Sequence, residues 1–422
     1  MKIVIGGDIS IAVDNERAKA AFANKRTEEL FDEGVQKLFR SADERIVNLE
    51  CAVTDKNTPI KKFGPNLNAP FGTGDTLRQL GVTLCAVSNN HIFDFGKAGT
   101  KDTFAELERC GLPYTGYGKN SADARKDYVI EKEGKKVAVI TVCEHEYSYA
   151  LESREGAREY DPYDTSDDIV NAKKTADYVI VIYHGGKEYC RYPSPRLLKL
   201  CRSMIRHGAD VVLCQHSHCI GCYEKFEGGH IVYGQGNFHF AWDMPTEEKQ
   251  RMWYTGLAAV VEIDENSLQF SVEPVVMKGI RLCLANSQEK QIILNELKER
   301  SRCLADGSWQ EKWKAFCDSV PYYTDAIQEL NIERLKEIAD AVSVPLVLHG
   351  GSGLSDDDFK NTIREGIAKV NIFTDLCLAG ERVMKDGAEK KLGYLETRNL
   401  KVEYIKEAVK HKMSLFGSVN KA

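Results

Sequence analysis

Five short runs rich in β-branched residues each end on, or lead directly into, a side chain able to ligate a metal. KIVIGG at 2–7 leads to Asp8, RIVNLE at 45–50 ends on Glu50, and TLCAVS at 83–88 leads to Asn90 and His91. YVIVIYH at 178–184 closes on His184, and DVVLCQ at 210–215 leads to His216 and His218. A sixth run, KVAVITV at 136–142, carries none. Amphipathic stretches at 26–39, 100–110 and 194–207 lie between the runs, a spacing that predicts an α/β sheet with helical crossovers. In open sheets of that kind, ligands collect where strands hand over to loops at their carboxyl ends.

Further along, YEKFEGGHIVYG at 223–234 and GLAAVVEIDENSLQFSVEPVVM at 256–277 each place a turn between alternating runs, predicting antiparallel hairpins. From about 280 to 320 the pattern is helical and charged, with aromatic anchors in WQEKWKAF. After Pro321 a βα rhythm begins: helix 332–341, strand VPLVLHG at 344–350, helix 355–365 and strand KVNIFT at 369–374. The expected division is therefore 1–280, a helical extension or linker over 281–325, and a separate part over 326–422. A length of 422 residues suits two or three domains.

Composition excludes several classes. A net charge of −6 with dispersed basic residues offers no stripe for a phosphate backbone, so nucleic acid is not expected as a partner. No window reaches the roughly 18 apolar residues of a membrane span, and the start, MKIVIGGDIS, meets glycine and aspartate too early for a signal peptide. A cytoplasmic location is expected. The 13 cysteines, many inside apolar runs, read as reduced buried thiols; Cys219 and Cys222 lack a second pair that would make a zinc knuckle.

The ligand-type residues have a common chemistry. Two divalent ions held close together need a bridging carboxylate, oxygen or imidazole side ligands, and a position for water. Asp8 and Glu50 supply charge, while His184, His216, His218 and the amide of Asn90 complete a mixed N/O set suited to manganese, iron or zinc. Taken singly, each has an ordinary structural reading: Asp8 as a helix cap, His184 as a loop histidine, NNH as a left-handed turn. Glu188, Lys187 and Arg191, just after His184, are candidates to grip a charged polymer or phosphate, or belong to a solvated loop. Gly234, Gly236 and Asn237 read as a tight turn supporting the site.

The motifs GGDIS, VNLECAVT, SNNHIFDFG, YHGGKEY, GADVVLCQHSHCIG and IVYGQGNF, in that order, resemble the bacterial capsule-synthesis CapA family of the calcineurin-like metallophosphatase superfamily. The resemblance covers residues 1 to about 280 and implies a four-layer α/β/β/α sandwich. It also implies Asp8, Glu50 and His218 on one ion and Asn90, His184 and His216 on the other, with Glu50 bridging. His91 becomes an acid or transition-state stabiliser oriented by Asp94. The implied activity is metal-dependent hydrolysis, with hydroxide on one or two Mn, Fe or Zn ions as nucleophile, in capsule or poly-γ-glutamate metabolism. The implied substrate is a small molecule or an anionic polymer. A non-catalytic metal- or polymer-binding subunit of a capsule synthase is the alternative. One departure is plain: the superfamily places a histidine two residues after the first aspartate, and here Ser10 stands there.

IERLKEIADAVSVPLVLHGGSGLSDDDFKNTIREGIAKVNIFTDL, from about 326, resembles the carboxyl-terminal part of class II ketose-bisphosphate aldolases, which are zinc-dependent (β/α)8 barrels. The resemblance implies a zinc ligand at His349 and phosphate contacts at Gly351, Ser352, Asn371 and Thr374. Only two βα units of such a barrel fit in this length, and a catalytic zinc takes three protein ligands. A class II aldolase-like zinc protein acting on ketose bisphosphates is therefore the second alternative, which the incomplete barrel and missing ligands count against.

Overall fold

The computed structural model describes residues 1–11, 15–62, 64–144, 146–242, 246–319, 332–348, 354–371 and 392–419, with positions 376, 379, 382, 383, 386 and 390. The chain divides into two units, Met1–Cys317 and Asp318–Ala422.

The first unit is mixed α/β and contains two large sheets. In one, Lys2–Ser10, Glu44–Leu49, Leu84–Ala86 and Tyr114–Thr115 run parallel in that order. On the other side of Lys2–Ser10 the sheet continues antiparallel through Thr255–Ile263, Leu268–Lys278 and Arg281–Leu284. Asn237–Phe240 also pairs with Lys2–Ser10, setting Asn237 opposite Asp8. The second sheet has the order Tyr223–Phe226, Gly229–Val232, Val211–Gln215, Tyr178–His184, Lys135–Cys143, Tyr128–Lys132. Its three central neighbours, Lys135–Cys143, Tyr178–His184 and Val211–Gln215, are parallel. The hairpins read from 223–234 and 256–277 are both present.

Period-two alternation sorts these strands into layers. Ile3, Ile5 and Ile46 of the first sheet share a core with Val139, Ile180 and Leu213 of the second, so the sheets pack face to face. Val4 and Val47 point the other way, to Phe22, Phe39 and Leu77 on helices. On the far side, Val179, Val181 and Val212 meet Ile169, Leu197 and Met204 of the helices Asp164–Thr175 and Pro195–Arg206. The second of these helices begins at Ser194, whose hydroxyl accepts from Leu197 N at 3.1 Å, with proline in the first turn where no amide donor is needed.

Two buried glutamines tie the sheets together near the strand ends. Gln235 Nε2 donates to Ile5 O and Leu257 O, each at 2.9 Å, and its Oε1 accepts from Gln215 Nε2 at 3.0 Å. Within 281–325, the helix Ser287–Asp306 starts on a capping box of Asn286 and Glu289. Its Ile293 and Leu297 join the core between the sheets, and Leu304 with Trp309 joins the outer core of the second sheet. The stretch from Ser287 to Trp309 is thus part of the first unit's packing.

In the second unit, strands Leu346–Leu348 and Ile367–Val370 form a two-stranded parallel sheet, with helices Ile332–Ala341, Asp356–Arg364 and Tyr394–Leu415. Among its described residues Phe359 and Val383 are fully buried, Phe359 against Phe416 and the ammonium of Lys412. His349, Gly351, Ser352 and Thr374 lie outside the described residues; Asn371 N donates to Leu348 O at 3.0 Å. Among the described residues, no helix is long and apolar enough to cross a membrane.

His239 gives the first unit an acid-sensitive point. Its ring is fully buried beside Phe22 and Phe31, and its Nε2–H donates to Ile280 O at 2.9 Å. Burial lowers its pKa to about 4. The unfolded chain therefore binds a proton that the folded chain does not between pH of roughly 6.5 and 4, and stability falls as pH falls through that window. His239→Gln should show a smaller loss of urea midpoint than the parent chain between pH 7 and pH of about 4.5; equal losses would remove His239 from the acid response.

Candidate metal centre

The parallel strands of both sheets deliver polar side chains to one buried cluster. Asp8 sits near the end of Lys2–Ser10, Glu50 just beyond Glu44–Leu49, His184 at the end of Tyr178–His184, and His216 with His218 just past Val211–Gln215. All are buried, as is Asn90. Ligand atoms of Asp8, Glu50 and His184 lie within 4.8 Å of one another, as do those of Glu50, His216 and His218. Glu50 belongs to both groups.

The hydrogen bonds separate these residues by role. Asp8 accepts from Asn48 Nδ2 at 2.7 Å and from the His216 amide at 2.9 Å. Burial pushes its carboxyl up, but His184, His218 and Asn48 together bring it below the ordinary aspartate value. Glu50 differs: neither carboxylate oxygen has a hydrogen-bond donor, and its near contact is His184 Nε2 at 3.3 Å. His184 Nε2 also lies 2.8 Å from Asn90 Oδ1, and its Nδ1 lies 3.1 Å from Asn48 Nδ2. Burial would lower the His184 pKa, yet the carboxylates of Glu50 and Asp8 raise it to about 9.

His216 and His218 both adopt positive φ, +79° and +50°. Such strain in non-glycine residues costs on the order of 1 kcal/mol or more each and clusters at functional sites. It sets the two rings 5.8 Å apart, with His216 5.0 Å from His184. Asn237 fixes the ring of His218. Its Nδ2 donates to Trp253 O at 2.9 Å, so its Oδ1 accepts from His218 Nδ1 at 2.8 Å and leaves Nε2 with the lone pair.

Beside the cluster lies a second constellation. His91 Nδ1 lies 2.6 Å from Asp94 Oδ2, which also accepts the Leu67 amide at 2.7 Å. Lys62 pairs with the other Asp94 oxygen, and its Nζ is 3.0 Å from His91 Nδ1. The Lys62 side chain is only 2% exposed, and burial lowers its pKa although Asp94 opposes the shift. A cavity of about 230 Å³ opens on His91 and His218, walled by Tyr189, Phe240, Trp242 and Trp253, with Glu188 and Lys249 also lining it.

Placement of the expected residues is therefore uneven. Asp8, Glu50, Asn90, His184, His216 and His218 converge, with His91 and Asp94 adjoining. His184 lies nearest Asn90, at 2.8 Å, and its ring is 5.0 Å from that of His216, while Glu50 is shared between the His184 and the His216–His218 groups. Glu188 lines the cavity; Arg191 instead pairs with Glu296 at 3.4 Å and lines a different one. Ser10 is buried on the first strand, an alcohol in place of an imidazole. Cys219 and Cys222 are free thiols that burial pushes up to about 12, which keeps them protonated. Another acidic group, Asp75, Glu106 and Cys110, is engaged by Arg109 and Lys25. Sequence reading missed Lys62, Asn48 and Asn89. The asparagines stand inside the motifs VNLE and SNNH, while Lys62 lies in an irregular stretch with no periodic signal.

The structure thus defines a mixed α/β protein with a buried carboxylate, imidazole and amide cluster able to hold divalent cations. A family model described as bacterial capsule synthesis protein PGA_cap matches residues 2–241, more than half of the chain, and the chain belongs to that family. A second model, fructose-bisphosphate aldolase class-II, matches residues 320–421. The chain is 32% identical over 181 residues to the "Capsule biosynthesis protein CapA" of Bacillus anthracis, covering 42% of this chain and 44% of that one. It is 32% identical over 210 residues to the "PGA biosynthesis protein CapA" of Bacillus subtilis strain 168, 49% of this chain and 55% of that one. Over 94 residues it is 48% identical to the "Uncharacterized protein YdjI" of Escherichia coli K12, 22% of this chain and 33% of that one. The chain spans about half the length of the capsule relatives it matches.

Lys62 gives a test that does not depend on function. Removing one partner of a buried ion pair leaves the other uncompensated, at a cost of about 3–5 kcal/mol. Lys62→Met should lower stability in urea by that order, and adding Asp94→Asn should recover part of it; additive losses would show that the pair is not coupled.

Proposed function

We propose that the first unit is a metal-dependent hydrolase of the calcineurin-like metallophosphatase type, acting at a phosphoryl or acyl centre in capsule or poly-γ-glutamate metabolism. The observation that carries the reading is Glu50: a fully buried carboxylate, common to two ligand groups, with no hydrogen-bond donor on either oxygen. The His184 imidazole, 3.3 Å away, is shared with Asp8, so two buried carboxylates on one imidazole remain costly unless a further cation meets them. Asp8, Glu50, Asn90, His184, His216 and His218 would hold one or two divalent ions, Mn, Fe or Zn, a donor set those metals accept. Such ions, when bound, lower the pKa of water and offset charge that develops in hydrolysis.

The remaining steps belong to the chain's own residues. Asn237 orients His218 through Nδ1. His91, held at Nδ1 by Asp94 and lining the cavity, presents Nε2 to a leaving group and supplies or steadies a proton there. The aromatic walls exclude water around the reacting bond, and Glu188 and Lys249 add polar contacts at the cavity. A capsule synthase is the proposed partner, with an anionic polymer or small molecule as substrate. No aldolase activity is proposed for the second unit.

Purified chain with manganese or zinc should hydrolyse a phosphodiester, a phosphomonoester or a γ-glutamyl substrate, and His184→Ala should abolish that turnover; equal turnover by the variant defeats the mechanism. In metal titrations, Asn237→Ala should weaken affinity by about 10–100-fold through loss of the His218 tether. Metal bound without turnover of any of these substrates would favour the non-catalytic subunit instead.

A further inference from the structure

We propose that a second cavity, formed where the helix Ser287–Asp306 packs beside the segment following His184, binds an anionic group, a phosphate or a carboxylate, through three arginines. The cavity measures about 160 Å³, room for one such group rather than a large ligand. Arg191, Arg251 and Arg300 all line it, and all three converge on a single carboxylate, Glu296. Each of the three contacts is a 3.4 Å approach from one guanidinium nitrogen, so none is the short two-pronged pair that arginine makes with a well-placed carboxylate.

The charge at this place is not balanced. Glu289, also at the cavity, is already engaged by Lys278 at 2.8 Å and by the Asn286 amide at 2.9 Å. Three guanidinium groups therefore share one carboxylate. The Arg300 side chain is 8% exposed and is held in place by Nε donating to Gly221 O at 3.0 Å. Among the described residues its Nη2 has no hydrogen-bond acceptor. Burial, followed by the neighbouring Arg191, lowers the Arg300 pKa from its ordinary value, as expected for crowded cations out of water. A planar fork of donors with excess positive charge suits a carboxylate or phosphate oxygen pair. Ile220, Val276 and Ile293 line the apolar side, against which a carbon chain bearing the anion would lie.

The two cavities are built from shared elements. The segment after His184 sends Glu188 to the first and Arg191 to the second, and the helix Glu247–Trp253 sends Lys249 to the first and Arg251 to the second. The second site does not rest on metal chemistry, and its test removes metal from consideration.

The full chain, stripped of ions with a chelator, is titrated calorimetrically at low salt with inorganic phosphate and, separately, with a peptide of four glutamates. At least one probe should bind. The double variant Arg191→Gln with Arg251→Gln should weaken that binding by about tenfold or more, whereas Glu296→Gln, which removes the competing carboxylate, should tighten it by about tenfold. Thermal unfolding and circular dichroism of each variant check that the fold is intact. Tighter phosphate assigns a phosphate ester as the ligand's anionic group; a tighter peptide assigns an acidic chain. Absence of binding by both probes overturns the proposal, as does binding that either variant leaves unchanged. A failure here leaves the metal titrations above untouched.

Discussion

Asp8 and Glu50 are buried carboxylates with no lysine or arginine ion pair among the described residues. An effective cost of several kcal/mol attends each ion taken from water, so their surroundings must be shaped to hold them. Much of the local structure follows from that requirement. Asn48 spans Asp8 and His184, and Asn89 Nδ2 supports it by donating to Asn48 Oδ1 at 3.0 Å and to Leu49 O at 2.9 Å. Asn89 Oδ1 in turn accepts the amides of His91 and Ile92, which fixes the NNH turn. The left-handed backbone at His216 turns its amide onto Asp8.

Neither sheet holds the cluster alone. Asp8 and Glu50 come from the first sheet, His184, His216 and His218 from the second, so the relative position of the sheets sets every distance between them. The paired glutamines act at that joint, since Gln215 Nε2 also reaches Gly6 O at 3.3 Å, two residues before Asp8. Close backbone approach does the rest. A methyl group on Gly256 would lie 1.9 Å from Asn237 O, and Asn237 is the residue that orients His218. Glycine there is required by the site as much as by the strand.

The strand ends were legible because hydrophobic runs and ligand-type residues alternate at fold spacing, a pattern that survives without coordinates. The six converging side chains were all read from it. What escaped was information carried by loops. Lys62 has one neighbour of the same kind, Lys61, and nothing in the sequence shows that its ammonium is buried against Asp94. Arg191 and Glu188 stand three residues apart, yet a positive φ at Tyr189 (+60°) lies between them, and they line different cavities. Between a helical extension and a linker over 281–325 the sequence did not choose: charge on the outer faces of those helices was plain, whereas Ile293, Leu297 and Trp309 reveal their burial only in contact with the rest of the first unit.

Pairing with a lysine distinguishes the carboxylates near the centre better than distance does. Asp94 and Glu50 are equally buried, and both lie close to imidazole. Asp94 has Lys62 on one oxygen and His91 with the Leu67 amide on the other, so its charge is already met and its orientation fixed. A cation would have to displace the ammonium of Lys62 to reach it. Glu50 offers two oxygens that no donor holds. On the proposed reading, a divalent ion would be drawn to Glu50 and Asp8 while Asp94 would orient His91, so that ion binding and proton handling would fall to different carboxylates of a single buried cluster.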